Sequence, residues 1–219
     1  MLELLLKSGG RLPRRVLCVG AHCDDIEIGC GATLSVLQAT GRVRIDWVVL
    51  SGNEQRRAET RAAMRALVRP AARGGLTFGD FADGRFPAQY AALKDFVESI
   101  KRAGRADLIL CHERDDRHQD HRLVNELIWN TFRDQVVLEY EIPKWDGGLG
   151  QPNLYVPVSA GAARRKVRTL LSAFRSQRER AWFTAETFMA MLRLRGIECN
   201  APSGYAEAFH ARKLRFAGF

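Results

Sequence analysis

Four side chains able to bind a metal or move a proton, His22, Asp24, Asp25 and Glu27, fall within six residues of the stretch VLCVGAHCDDIEIGCGAT, which runs from Val16 to Thr33. An apolar run, Val16-Leu17-Cys18-Val19, leads into them through a small-residue turn, and glycines follow at Gly29 and Gly31. A second cluster, CHERDDRHQDH, occupies Cys111 to His121, again directly behind an apolar run. Imidazoles and carboxylates without a thiolate pair are the donor set of a catalytic zinc, or a related divalent ion, that keeps one position open for water. Such an ion lowers the pKa of water to about 7, and a carboxylate left over from ligation can serve as general base. The two clusters together predict a metal-dependent enzyme.

Both clusters need a scaffold that brings strand ends together. Apolar strand patterns alternate with amphipathic helix patterns, which predicts a parallel sheet wrapped by helices. Strands are expected at Val16–Gly20, Val43–Leu50, Leu76–Phe81, Ala106–Cys111 and Val136–Ile142, with Leu154–Val158 extended. Helices are expected at Gly29–Ala39, Glu54–Val68, Ala88–Arg102, Gln119–Phe132, Ala162–Phe174 and Thr184–Leu194. Pro143–Pro152 holds three glycines and reads as a loop and substrate lid. The stretch around Tyr205–Phe209 is read only as part of the tail.

In an open α/β sheet, ligands bind beyond the carboxyl ends of the strands. If Val16–Gly20 and Ala106–Cys111 are neighbours, the two clusters converge there. The expected fold is therefore α/β, a three-layer Rossmann-like sandwich with a mostly parallel sheet and the site at the carboxyl edge of its strands. Residues 1–219 are expected to form one domain.

At 219 residues, with 46% apolar and 27% charged, the chain can bury one sizeable core, which excludes wholesale disorder. No apolar run approaches the roughly 18 residues of a membrane span. The Leu2–Leu6 run is too short for a secretory signal, so a cytoplasmic location is expected. Five scattered cysteines without a C-x-x-C pair exclude a disulfide framework and a thiolate zinc knuckle. The net charge of +9 is spread along the chain, and Arg57, Arg61 and Arg65 recur at helical spacing as a solvated face. No basic stripe is interleaved with aromatics, so nucleic acid is not the expected partner. Attraction of an anionic small molecule, such as a phosphate- or nucleotide-linked sugar, accounts for the charge equally well.

The residues also carry a family resemblance. Ala21-His22-Cys23-Asp24-Asp25-Ile26-Glu27-Ile28-Gly29-Cys30-Gly31-Ala32-Thr33 resembles the A-H-P-D-D-x-E-x-G-x-G-G-T signature of the LmbE-like (PIG-L) N-deacetylases, and Asp116-Arg117-His118-Gln119-Asp120-His121 resembles their D-R-H-P-D-H signature. Weaker similarity extends through Ser51-Gly52 with Glu54, Arg57 and Glu59, then Ser176-Gln177, Arg195-Gly196 and Tyr205–Phe209. The resemblance implies that His22, Asp25 and His121 hold zinc, with another divalent ion as the alternative. It implies Asp24 as general base. His118 would polarise the amide carbonyl, stabilise the oxyanion and protonate the departing amine, and Asp120 would orient and charge-stabilise His118. The implied reaction is removal of acetyl from an N-acetylated amino sugar or glycoconjugate. Cys23 and Gln119 stand where the family has proline, and Ala32 where it has glycine.

Plainer readings compete at several positions. Asp24-Asp25 alone would suit a helix-capping turn. His112 reads as a strand-end residue or a partner of a ligand rather than a ligand, and Glu27 as a loop support or cap. Glu113, Arg114, Asp115 and Arg117 read as a solvated charge run, with a substrate-facing arginine as the alternative, and Asp115 or Asp116 as a cap ahead of the next helix. Tyr140 and Trp145 read as packing residues, with a sugar platform as the alternative beside the glycine loop. Cys23 as an extra soft ligand or oxidisable thiol is the minor reading. His210 has no evident partner. Two rival functions remain: a hydratase of an unsaturated dicarboxylate on the same metal site, and a non-catalytic metal- or nucleic-acid-binding protein. Assembly into a homo-oligomer through the Pro143–Pro152 and C-terminal regions is left open.

Overall fold

The computed structural model describes residues 13–39 and 41–214; the Leu2–Leu6 run lies outside them. Strand β1 (Arg15–Gly20) is followed by two short helices, α1 (Asp25–Cys30) and α2 (Thr33–Ala39). Then come β2 (Arg44–Val49), α3 (Glu54–Leu67), β3 (Arg73–Phe78), α4 (Tyr90–Arg102), β4 (Leu108–His112), α5 (Gln119–Thr131) and β5 (Val136–Tyr140). The chain closes with β6 (Leu154–Pro157), α6 (Ala160–Ala173), α7 (Ala185–Glu198) and β7 (Ala206–Ala211).

Among the described residues these strands form a seven-stranded sheet in the order β3-β2-β1-β4-β5-β7-β6. The first five are mutually parallel, and β7 runs antiparallel to both β5 and β6. Alternate residues of each strand feed opposite faces, as the pleat requires. Val16, Cys18, Ile45, Trp47 and Leu110 join one core with side chains of α3, α6 and α7. Leu17, Val19, Val48 and Ile109 join the other, with Leu93 and Val97 of α4 and Leu123, Val124 and Leu127 of α5. Burial on both faces explains why β1 and β4 read as continuous apolar runs. The result is the expected three-layer α/β sandwich.

β1 pairs with β2 on one side and with β4 on the other, Val16 opposite Leu108 and Cys18 opposite Leu110. The strand order reverses between β1 and β4, so a crevice opens beyond their carboxyl ends. Both chemical clusters begin there.

Three local expectations are corrected. The helix expected from Gly29 starts at Asp25 and breaks at Gly31-Ala32. The break is held by the Glu207 carboxylate, which accepts from the Ala32 N–H at 3.0 Å and the Thr33 N–H at 2.6 Å, and by Lys166, whose Nζ lies 2.6 Å from Glu207. Gly29 is tolerated inside α1 because the Tyr140 ring occupies the space where a Cβ would sit, 2.2 Å from Cδ2. The third strand lies at Arg73–Phe78, earlier than its apolar end suggested. The tail stretch forms β7, which ties β6 to the sheet. No helix among the described residues is long and apolar enough to cross a membrane.

Candidate active site

His22, Asp24 and Asp25 lie in the turn from β1 into α1. Asp24 has φ 105°, in the left-handed region, and its carboxylate makes no capping bond to α1. The capping-turn reading therefore does not describe it. Its Oδ1 lies 3.0 Å from a guanidinium nitrogen of Arg56, on the first turns of α3. Burial, against the opposing pull of Arg56, pushes the Asp24 carboxyl up to about 7. A left-handed aspartate whose carboxylate caps nothing is backbone strain kept at a functional turn.

His118 caps α5, its Nδ1 accepting from the Asp120 N–H at 3.2 Å, and His121 lies one turn further on. His22 Nδ1, Asp25 Oδ2 and His121 Nε2 converge, with separations of 3.1 Å (His22 to His121), 3.4 Å (His22 to Asp25) and 3.6 Å (His121 to Asp25). A tetrahedral ion with bonds of about 2.0–2.1 Å has ligand edges of about 3.4 Å. The donor set and its spacing fit a divalent ion.

The outward nitrogens of both imidazoles are backed by carboxylates. His22 Nε2 lies 3.2 Å from Asp120 Oδ2 and 3.0 Å from Asp83 Oδ1, and His121 Nδ1 lies 2.9 Å from Asp116 Oδ2. Metal-binding histidines are commonly oriented in this way. Asp116 is in turn held by Lys144, with Nζ 2.8 Å from each carboxylate oxygen. Asp120 also accepts from the Gly84 N–H at 2.7 Å and the Phe86 N–H at 3.1 Å. Its carboxylate thus serves His22, and it reaches His118 through its backbone N–H and its charge.

The electrostatics match a cation site. Burial opposes a charge on His22, yet Asp120, Asp25 and Asp83 outweigh it and hold the imidazole well above its usual value. Surplus negative charge is thus balanced by a proton that a divalent ion can displace. Burial and His112 push His121 down to about 3, leaving it neutral and ready to ligate. Burial and the nearby His22 also lower His118, so its imidazole is neutral. Because His118 Nδ1 accepts from a backbone amide, its proton sits on Nε2, where it can donate outward.

Other side chains settle differently. His112 ends β4, fully buried, with its ring stacked on His121 at 3.8 Å and its Nε2 3.1 Å from Asp25 Oδ2. Its Nε2 already accepts from the Ala21 N–H at 2.9 Å, although Asp25, His112 and His121 also bring one donor each within 4.8 Å. Both Glu27 oxygens are buried without a hydrogen-bond partner among the described residues, and burial raises its carboxyl well above the usual range. It caps no helix; Glu207 takes that role at α2. The Cys23 thiol is buried against Gly52 and the Ser51 carbonyl, and burial raises it to about 11, against a soft-ligand role. Tyr140 is fully buried, its hydroxyl on the Val19 carbonyl at 2.6 Å. His210 Nε2 lies 3.1 Å from Glu113 Oε1 without hydrogen-bond geometry.

A cleft of about 520 Å³ opens from His22, lined among others by Asn53, Arg56, Arg57, Asp83, Ser176 and Gln177. Asp83 and Lys144 were not singled out by sequence reasoning. For Asp83 the available signal was an Asp-Gly turn behind a strand; for Lys144 there was none.

Comparison with known proteins places the chain in a family and a fold. A family model described as PIG-L, GlcNAc-PI de-N-acetylase, matches residues 17–132. An Escherichia coli (strain K12) protein, "Uncharacterized deacetylase YaiS", is 30% identical over 155 residues, covering 65% of this chain and 82% of that protein. Among solved structures, the N,N'-diacetylchitobiose deacetylase from Pyrococcus horikoshii superposes with a TM-score of 0.71 at 19% identity, covering 90% of this chain and 83% of that one. The A40926 pseudoaglycone deacetylase Dbv21 gives 0.69 at 18% identity, covering 94% and 99%. These two likenesses establish a common fold.

Proposed function

The chain belongs to the PIG-L family, and from that premise we propose that it is a metal-dependent deacetylase, a single LmbE-like domain that removes acetyl from an N-acetylated amino sugar or glycoconjugate. The observation that carries this reading is the convergence of His22 Nδ1, Asp25 Oδ2 and His121 Nε2 beside an uncapped Asp24. A zinc or related divalent ion held by these three residues supplies Lewis acidity at the amide carbonyl and lowers the pKa of water.

The remaining chemistry falls to the chain. Asp24 takes the proton from the attacking water as the new C–O bond forms, and Arg56 fixes the carboxylate that does so. The neutral His118 donates from Nε2 to the oxygen that gains charge, an interaction strongest at the transition state. Asp24 then returns its proton to the amine nitrogen as the C–N bond breaks, which makes acetate and a free amino sugar. His118 is a hydrogen-bond donor in this scheme and Asp24 the proton carrier, since an imidazole held neutral has no imidazolium proton to give.

The test is acetate release from N-acetylglucosamine derivatives (free, phosphate-linked, lipid-linked and thiol-linked) before and after chelation. Release from one of them, lost on chelation and restored by zinc, bears the reading out. Metal bound firmly with no release from any derivative sinks it and favours the hydratase alternative, which loss of absorbance from unsaturated dicarboxylates would register.

A further inference from the structure

Two segments tied to the site carry an aromatic and cationic cluster that the deacetylation chemistry does not use. Trp145 is 68% exposed, the most exposed large apolar side chain among the described residues. Its ring meets Trp182 edge to face, centroids 6.3 Å apart at 86°, and the Arg180 guanidinium carbon lies 5.6 Å above its own ring centre. The loop after β5 supplies Trp145, and the segment between α6 and α7 supplies the other two.

Each segment is tied to a different wall of the site. Trp145 follows Lys144, whose Nζ holds Asp116 beside His121. Further along the same loop, a Cβ on Gly148 would come 3.0 Å from Arg117 Cγ, so the loop lies close against the residue preceding His118. On the other wall, Ser176 and Gln177 line the cleft with His22, and the Arg180 N–H donates to the Gln177 carbonyl at 3.0 Å. The Trp145–Arg180 contact therefore joins the Lys144 loop to the segment that follows Gln177.

The cation of this cluster makes no ion pair among the described residues. Inside the cleft, Arg56 pairs with Asp24 and Arg57 with Asp80. Among the described residues Arg180 has no carboxylate within ion-pair distance, and neither has Arg117 or Arg175. An exposed indole offers a flat apolar face suited to a ring, and a guanidinium on that face offers a fork suited to an anion. Burying such a pair under a neutral ligand would strand the cation.

We propose that Trp145, Arg180 and Trp182 form a subsite for the part of the substrate beyond the acetylated sugar, and that it recognises a phosphate-bearing substituent lying across the Trp145 ring. The proposal rests on the deacetylase reading for its place in the reaction, and on the cluster geometry for its ligand.

The experiment compares wild type, Arg180→Met and Trp145→Ala with three probes: N-acetylglucosamine, its neutral phenyl glycoside and its 1-phosphate. Acetate release gives kcat/KM, and calorimetry on the metal-loaded protein gives affinity. Wild type should favour the 1-phosphate over the free sugar by about fivefold or more, as a partly shielded charge pair supplies. That ratio should collapse in Arg180→Met, shrink in Trp145→Ala, and fall with added salt. Equal preference for the phenyl glycoside, or a ratio unmoved by both substitutions, overturns the subsite. If no probe releases acetate, the deacetylase reading is judged on its own wider panel of derivatives, and the subsite on binding. Calorimetry then decides the subsite: 1-phosphate binding weakened in Arg180→Met supports it, and unchanged or absent binding overturns it.

Discussion

Lys144 and Asp116 meet with the lysine Nζ 2.8 Å from each carboxylate oxygen, and the same carboxylate lies 2.9 Å from His121 Nδ1. A residue of the glycine-rich loop thus sets the charge and orientation of the carboxylate that aims the His121 imidazole, a proposed metal ligand. Both side chains are nearly shielded from water, so removing the cation leaves Asp116 buried without its counter-charge. Lys144→Met should lower zinc affinity by roughly 10–100-fold, the usual penalty for losing such outer support. Competition with a chromogenic chelator measures it. Lys144→Arg should recover much of the loss, and an unchanged affinity in Lys144→Met would show that the loop is only a cover.

Asp120 makes a sharper distinction. Its Oδ2 lies 3.2 Å from His22 Nε2 and accepts from Gly84, while Oδ1 accepts from Phe86. If it acted through His118 alone, Asp120→Asn would slow turnover and leave metal binding intact. The observed contacts predict otherwise: metal affinity and kcat should fall together, the first by about tenfold. Titration with zinc alongside kinetics separates the two cases.

The legible parts of the site were the local ones. His22, Asp24 and Asp25 follow β1 within five residues, and His118, Asp120 and His121 open α5, so each group occupies one turn that the sequence displays whole. That the two turns meet followed from two apolar runs being neighbours in a parallel sheet, and β1 and β4 are. What stayed hidden depends on side chains reaching across the fold. Asp116 read as a turn cap, yet its carboxylate is buried between His121 and Lys144, the latter 28 residues away. β7 was missed because Ala-Glu-Ala-Phe-His-Ala has little apolar content to mark a strand. Its Glu207 and His210 are buried by tertiary partners, Lys166 and Glu113, that no local pattern announces.

Glu113 gives the fold a pH signature away from His22, Asp25 and His121. It is buried, and the groups facing it are Glu141, Glu139, Asp115, His210 and Arg212. Burial first, then the neighbouring Glu141, raises its carboxyl from 4.5 to about 7. Folding therefore favours the protonated form. The stability this gives is full below about pH 4.5 and is lost as pH rises through 7. Glu113→Gln fixes the neutral form, so its melting temperature should gain on wild type between pH 5 and pH 8, by on the order of 2 kcal/mol or several degrees. Parallel melting curves across that range would contradict the assignment.

Asp24 carries the heaviest chemical burden in the proposed reaction and the least structural one. Its carboxylate caps no helix, and its one charged partner at 3.0 Å is Arg56. Asp24→Asn keeps the shape and the left-handed backbone, which asparagine tolerates as aspartate does. It removes the group that accepts the water's proton and returns it to the amine. Acetate release should fall by about 10²–10⁴-fold, the range general base catalysis supplies. The His22, Asp25 and His121 atoms are untouched, so bound metal measured by elemental analysis should remain at wild-type stoichiometry. Loss of metal together with activity would place Asp24 among the ligands instead, and retained activity would move the proton transfer to another residue of the cleft.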